Sequence, residues 1–248
     1  MIQACLGVGT LALTLLVARR WFGPAEAVVS GVLLVGYGAT SRDETALLSA
    51  ALATFLAVLL AWLVDRATMT PRGVMVRGRA WFALAAGLIA GALALVQVTL
   101  LVAGLMITAG LLWSTRRRGS RRALPWWYAA GLGLALSPTV ANTLGLGTWA
   151  PITANGGFEF SAGHGNLSRL LGLPLTVIFL LGTAGLALAV LPGHRRRGSA
   201  LAPVALILAV IAAAVLAAGH RLPAVPFLAV YAGHALVRGA QLLRHKPA

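Results

Sequence analysis

Side chains able to exchange protons are scarce in this chain and clustered. Acids number five in 248 residues. Three of them, Asp43, Glu44 and Glu159, sit in two polar stretches, Ser41-Arg42-Asp43-Glu44 and the longer segment from Ala150 to Asn166. The longer one adds Thr153, Asn155, His164 and Asn166, together with Gly156, Gly157, Gly163 and Gly165, which permit tight backbone turns. A carboxylate and an imidazole can act as general acid or base, and connecting loops longer than about 12–15 residues are more often functional than inert. A plain connector remains the alternative for this segment. For Asp43 and Glu44 the alternative is helix capping, with Ser41 as the cap and the acids in the first turn. His234, alone in an apolar run with no second histidine at ligand spacing, reads as a hydrogen-bonded packing residue.

The elements that must position these residues are membrane helices. The composition is 59% hydrophobic and only 10% charged, against about 25% charged in soluble domains. Apolar runs near the length of a bilayer crossing occur at 2–18, 25–39, 45–64, 80–96, 98–113, 124–140, 170–191, 200–218 and 223–237. The expected fold is therefore all-α, one polytopic transmembrane bundle over residues 1–248 with about nine spans and a long outer loop at 141–169. The apolar stretch from Ala80 to Trp113 is too long for one crossing and divides near Gln97 into two short helices.

A net charge of +15 would suit nucleic acid, but the placement of the charge excludes that reading. All of the 20 basic residues except Arg42, Arg169 and Arg221 fall in alternate loops: Arg19-Arg20, the 66–79 loop, 116–122, 195–197 and the C-terminal stretch. That is the positive-inside pattern, and such loops can also touch anionic lipid. The basic loops are expected in the cytoplasm of a bacterial-type plasma membrane. Arg42, Asp43, Glu44, Glu159, His164, Arg169, His220 and Arg221 then gather on the outer side. Helix 2–18 is expected to run from outside to inside and lacks the pattern of a cleaved signal. Pro24 suits a helix start, and Trp21, Trp126 and Trp127 suit the membrane interface. Cys5 is the single cysteine and has no intrachain partner for a disulfide.

Several motifs, in order, resemble the GT-C glycosyltransferases that use polyprenyl-phosphate sugars, of the protein-mannosyltransferase and aminoarabinose-transferase type. Asn142-Thr143-Leu144-Gly145-Leu146-Gly147, then Pro151-Ile152-Thr153-Ala154-Asn155-Gly156-Gly157 and Gly165-Asn166, match that family's outer-loop pattern in spacing. Val17-Ala18-Arg19-Arg20-Trp21-Phe22-Gly23 resembles its inner turn, Asp43-Glu44-Thr45 the acids opening a later helix, and Arg221-Leu222-Pro223 with Pro226 its closing motif. The chain departs from the pattern where Ala141 replaces an arginine and Gln97 an arginine or lysine. The family's first outer loop, with its catalytic acid, is expected to precede the region matched by residue 1.

The resemblance implies a transferase of the cell envelope that moves a sugar from a polyprenyl-phosphate donor to an outer-face acceptor. By the same resemblance Asp43 and Glu44 hold the donor phosphate or position the acceptor. Arg169 and Arg221 pair with phosphate, while Asn142, Asn155, Gly156, Gly157 and Asn166 shape the pocket. Glu159 or His164 stands in for the missing base. The resemblance specifies no definite cofactor, and a divalent metal is compatible with the acids. Expected partners are the lipid-linked sugar, the bilayer and a membrane protein, and not nucleic acid. The alternative is a non-catalytic scaffold or partner subunit that retains the lipid-sugar groove. A small transporter fits less well, because the spans lack charged midplane residues and show no inverted repeat.

Overall fold

The computed structural model describes residues 2–38, 47–69, 76–96, 123–146 and 225–244, with parts of 101–111 and 180–188. All of the regular structure there is helical. The main elements are α1 (Ile2–Trp21), α2 (Pro24–Gly38), α3 (Leu47–Met69), α4 (Val76–Val96), α5 (Leu124–Leu146) and α6 (Val225–Arg244). Short helical stretches accompany them at 101–111 and 180–188.

Among the described residues three helices are long and apolar enough to cross a membrane: Ala4–Trp21, Ala51–Thr68 and Gly78–Val96. By length and composition they mark an integral membrane protein. This count corrects the nine spans read from the apolar runs, and the reasons are physical. With 15 residues, α2 rises only about 22 Å, short of a hydrocarbon core of about 30 Å. The apolar run of α6 is interrupted by His234, Arg238 and Gln241. The runs at 98–113 and 170–191 are described only in part, and the run at 200–218 lies outside the described residues.

The chain packs as two units. One comprises Met1–Val58, Asn166–Ala205 and Arg221–Ala248; the other comprises Leu59–Gly165 and Leu206–His220. In the first unit, α1 and α2 form a hairpin whose two-residue connection allows only an antiparallel arrangement. The amides of Phe22 and Gly23 both donate to the Ala18 carbonyl, at 2.9 and 3.3 Å, and so close the end of α1. Gly23 then adopts φ +146°, a conformation costly for any residue with a Cβ, and Pro24 begins α2 with φ already suited to a helix. The two helices interlock where Gly31 leaves room for Leu15. Polar groups of α1 turn inward but bond within the helix: Thr10 donates to the Leu6 carbonyl at 2.8 Å and Thr14 to the Thr10 carbonyl at 2.7 Å.

The first half of α6, from Val225 to His234, is buried throughout. It crosses α2 at Gly233, where an added Cβ would lie 2.5 Å from Ser30 Oγ and 3.0 Å from the Glu26 carbonyl oxygen. The 180–185 stretch runs alongside in parallel, Gly182 against Leu228 and Gly185 against the Tyr231 backbone.

The second unit is built on close backbone approach. Gly87 of α4 lies against the Tyr128 carbonyl and the Leu132 amide of α5. Gly131 lies in return against the Leu84 carbonyl and the Leu88 amide, and Gly91 against Ala135. The rising order of both sets of numbers makes α4 and α5 parallel. Lipid tails are as apolar as the helices, so association in a bilayer rests on packing between small residues rather than on exclusion of water. Ala83, Ala86, Ala90 and Ala94 complete that buried face of α4. The return helix within 101–111 packs on the same seam. A Cβ added at its Gly104 would lie 3.7 Å from both Ala90 and Leu132 side chains, and the Gly104 carbonyl accepts a 3.3 Å hydrogen bond from the fully buried Tyr128 hydroxyl. The described parts of the Ala80–Trp113 run thus lie in two packed helical stretches, and the turn expected near Gln97 lies outside the described residues.

Candidate functional site

The residues that the sequence nominates lie mostly outside the described part of the chain. Asp43, Glu44, Asn155, Gly156, Gly157, Glu159, His164, Asn166, Arg169 and Arg221 all do, as does the Ser41 cap. Asn142 belongs by its backbone to α5. The loop expected from residue 141 is thus still helical as far as Leu146, and 147–169 lies outside the described residues. Ala141 to Leu146 is apolar enough to continue the helix, and Pro138 does not stop it. A proline within a membrane helix is tolerated where nearby groups satisfy the freed carbonyl, and here the Ser137 hydroxyl donates to the Leu134 carbonyl at 2.8 Å.

The elements that carry the polar stretches have a clear polarity. The N-terminus of α2 adjoins the turn that carries Arg19 and Arg20, and its C-terminus leads into the Asp43-Glu44 stretch. The N-terminus of α5 follows Arg121 and Arg122, and its C-terminus leads into the long polar segment. In each unit the acid-bearing stretch leaves from the end opposite the arginines.

Among the described residues, α2 and α6 form a buried polar cluster that was not anticipated. His234 of α6 and Glu26 of α2 approach to 3.9 Å between Nδ1 and Oε1, their side chains only 5% and 10% exposed. That separation is electrostatic contact rather than a direct hydrogen bond, and it is an ion pair when the imidazole is protonated. Phe22 stacks on His234 with ring centroids 4.2 Å apart and planes 20° from parallel. Tyr231 and Trp21 close the aromatic wall, with Tyr231 5.7 Å from Phe22 and 6.4 Å from Trp21. The Ser30 hydroxyl donates to the Glu26 carbonyl at 2.6 Å, which fixes the turn of α2 that carries the acid.

His234 is thus the buried packing residue that the sequence suggests, with a carboxylate as neighbour. The cluster can hold or exchange a proton shielded from bulk water. It supplies two potential metal ligands, and no group of three His, Cys, Asp or Glu forms among the described residues. From Glu26 to the end of α2 at Gly38 is about 18 Å along the helix axis, and Asp43 and Glu44 follow later in the sequence. An acid in the first turn of a helix was visible as a dipole partner, but its pairing with a histidine at the other end of the chain was not.

No protein-family profile matches the chain, and neither a characterised protein nor a solved structure is significantly similar to it.

Proposed function

We propose that the chain is a membrane glycosyltransferase of the GT-C type, moving a sugar from a polyprenyl-phosphate donor to an acceptor on the outer face of a bacterial-type plasma membrane. The observation that carries this reading is the polarity of α2 and α5. Both lead away from arginine-bearing ends toward the stretches whose sequence resembles the donor-binding motifs. With the arginines cytoplasmic, Asp43 and Glu44 and the 147–169 segment belong to the outer side.

The transfer displaces the polyprenyl phosphate from the anomeric carbon. It needs a base for the acceptor hydroxyl and positive charge against the leaving phosphate. Glu159 or His164 supplies the base and Arg169 and Arg221 the charge. Asp43 and Glu44 hold the donor phosphate or orient the acceptor, while Asn142, Asn155, Gly156, Gly157 and Asn166 shape the pocket. A divalent cation, if bound, would be held by Asp43 and Glu44 and would supply positive charge against the leaving phosphate; loss of transfer on chelation tests it.

A second reading has its own support. Ala141 and Gln97 stand where the resembling family carries basic residues, which favours a partner subunit that binds lipid-linked sugar without turning it over. The test is reconstitution of the purified chain in liposomes with a radiolabelled polyprenyl-phosphate sugar. Transfer that falls with Glu44→Ala supports the enzyme, and retention of donor without transfer supports the partner subunit. Neither retention nor transfer overturns both.

A further inference from the structure

We infer that the arginine-bearing end of the second unit is a binding surface for acidic phospholipid. The inference rests on the chain being an integral membrane protein and not on sugar transfer. Three elements bring their interfacial residues together there. Near the end of α3 the Arg66 guanidinium lies over the Trp62 ring, 5.2 Å from its centroid, and Trp62 meets Phe82 of α4 edge to face at 6.2 Å. Beside Phe82, Trp81 is 69% exposed. The parallel seam that sets Gly87 against Tyr128 and Leu132 then fixes the level of α5. Trp126 and Trp127, 72% and 46% exposed, come within about one helical turn of the level of Trp81.

Four tryptophans so placed form one collar rather than scattered surface residues. Indole rings settle at headgroup depth, with the apolar body in the acyl region and the N–H toward water. Charge selects among headgroups. Arg66 is exposed at this end, and the half-buried Arg79 lies in the first turn of α4. A guanidinium pairs with phosphate in a bidentate fork. An acidic phospholipid offers that phosphate uncompensated, whereas a zwitterionic one brings its own cation against the arginines. Nucleic acid offers phosphate too, but the exposed tryptophans adjoin membrane-length helices, and this geometry suits a lipid layer.

The test uses the full chain in vesicles of phosphatidylcholine containing a minor fraction of phosphatidylglycerol, with bromine on one lipid or the other to quench tryptophan fluorescence on contact. At equal mole fraction, brominated phosphatidylglycerol should quench more strongly. The preference should fall roughly fivefold for each arginine removed in Arg66→Gln and Arg79→Gln, as expected for a basic residue at an anionic surface. It should also fall at high ionic strength in the unaltered chain, a check that needs no variant to fold. Removing Trp81, Trp126 and Trp127 together, as phenylalanines, should abolish the lipid-specific part of the quenching. Equal quenching by the two lipids overturns the inference and leaves the membrane assignment standing. Release of the chain from vesicles by alkaline carbonate overturns both.

Discussion

Two glycines of α5, Gly131 and Gly133, give opposite outcomes for the same substitution. A Cβ on Gly131 would collide with the Leu84 carbonyl, lie 2.9 Å from the Leu88 amide nitrogen and 3.1 Å from Gly87 Cα. All are atoms of the α4 backbone, so no side chain can rotate away and the helices must separate. A Cβ on Gly133 meets nothing within 4 Å. Replacing glycine by alanine inside a helix gains up to about 1 kcal/mol from propensity at either site. Forcing an extra methyl into a packed seam costs about 1–3 kcal/mol, and at Gly131 that cost falls on the packing that holds α4 to α5. Gly133→Ala should therefore be neutral or stabilising and Gly131→Ala the less stable of the two; the propensity gain is common to both, so the gap is the packing cost, roughly 1–3 kcal/mol. The gap can be read from unfolding midpoints in mixed micelles as the denaturing detergent fraction is raised. Because Gly87 and Gly131 face each other, the Gly87→Ala/Gly131→Ala pair should depart from additivity. Equal midpoints for Gly131→Ala and Gly133→Ala would refute the seam and the parallel register drawn from it.

Other substitutions probe the first unit. Gly23→Ala should destabilise the α1–α2 hairpin by about 1–3 kcal/mol, because φ +146° is strained for alanine and its Cβ would lie 2.8 Å from Glu26 Oε2; an unchanged midpoint would contradict that turn. His234→Ala removes both the Phe22 stack and buried volume and should lose about 2–4 kcal/mol. His234→Phe keeps a ring on Phe22 while removing the Glu26 contact, for a smaller loss of about 1–2 kcal/mol; a phenylalanine variant as unstable as the alanine one would contradict the stacked geometry. Thr14→Val should change little, within about 1 kcal/mol, since the hydroxyl bonds only to the Thr10 carbonyl of its own helix; a large loss would reveal a further partner.

Helix positions were legible in the sequence to within a few residues, and the misplaced ends share a cause. The apolar run at 45–64 stops at Asp65, yet α3 continues through Asp65 and Arg66 to Met69. The run at 80–96 starts at Ala80, yet α4 begins at Val76 and includes Arg77 and Arg79. Hydropathy falls where charge appears, whereas helical hydrogen bonding does not, and long charged side chains can reach the interface from within a helix. The connection at Phe22-Gly23-Pro24 was legible because its residues have individual backbone requirements. The small-residue seam between α4 and α5 could be read as close packing from its Gly and Ala content, but not as a pairing of Gly87 with Gly131. Pairings between distant segments leave no local periodicity. The Glu26–His234 contact is hidden for that reason, and each partner alone resembles an ordinary dipole or packing residue. The nominated outer residues were legible as polar types in apolar surroundings, and their mutual geometry lies outside the described residues.

The claim on which the whole account depends is that the acid-bearing stretches and the arginine-bearing ends lie on opposite sides of a membrane. Cysteines at Ser161 and, separately, at Gly119, introduced after replacing the exposed Cys5 by serine, report this through a membrane-impermeant thiol reagent on intact cells. The account predicts labelling of Ser161→Cys from outside and of Gly119→Cys only after the cells are opened. Labelling of Gly119→Cys on intact cells with Ser161→Cys protected would contradict it and remove the outer-face site along with the topology.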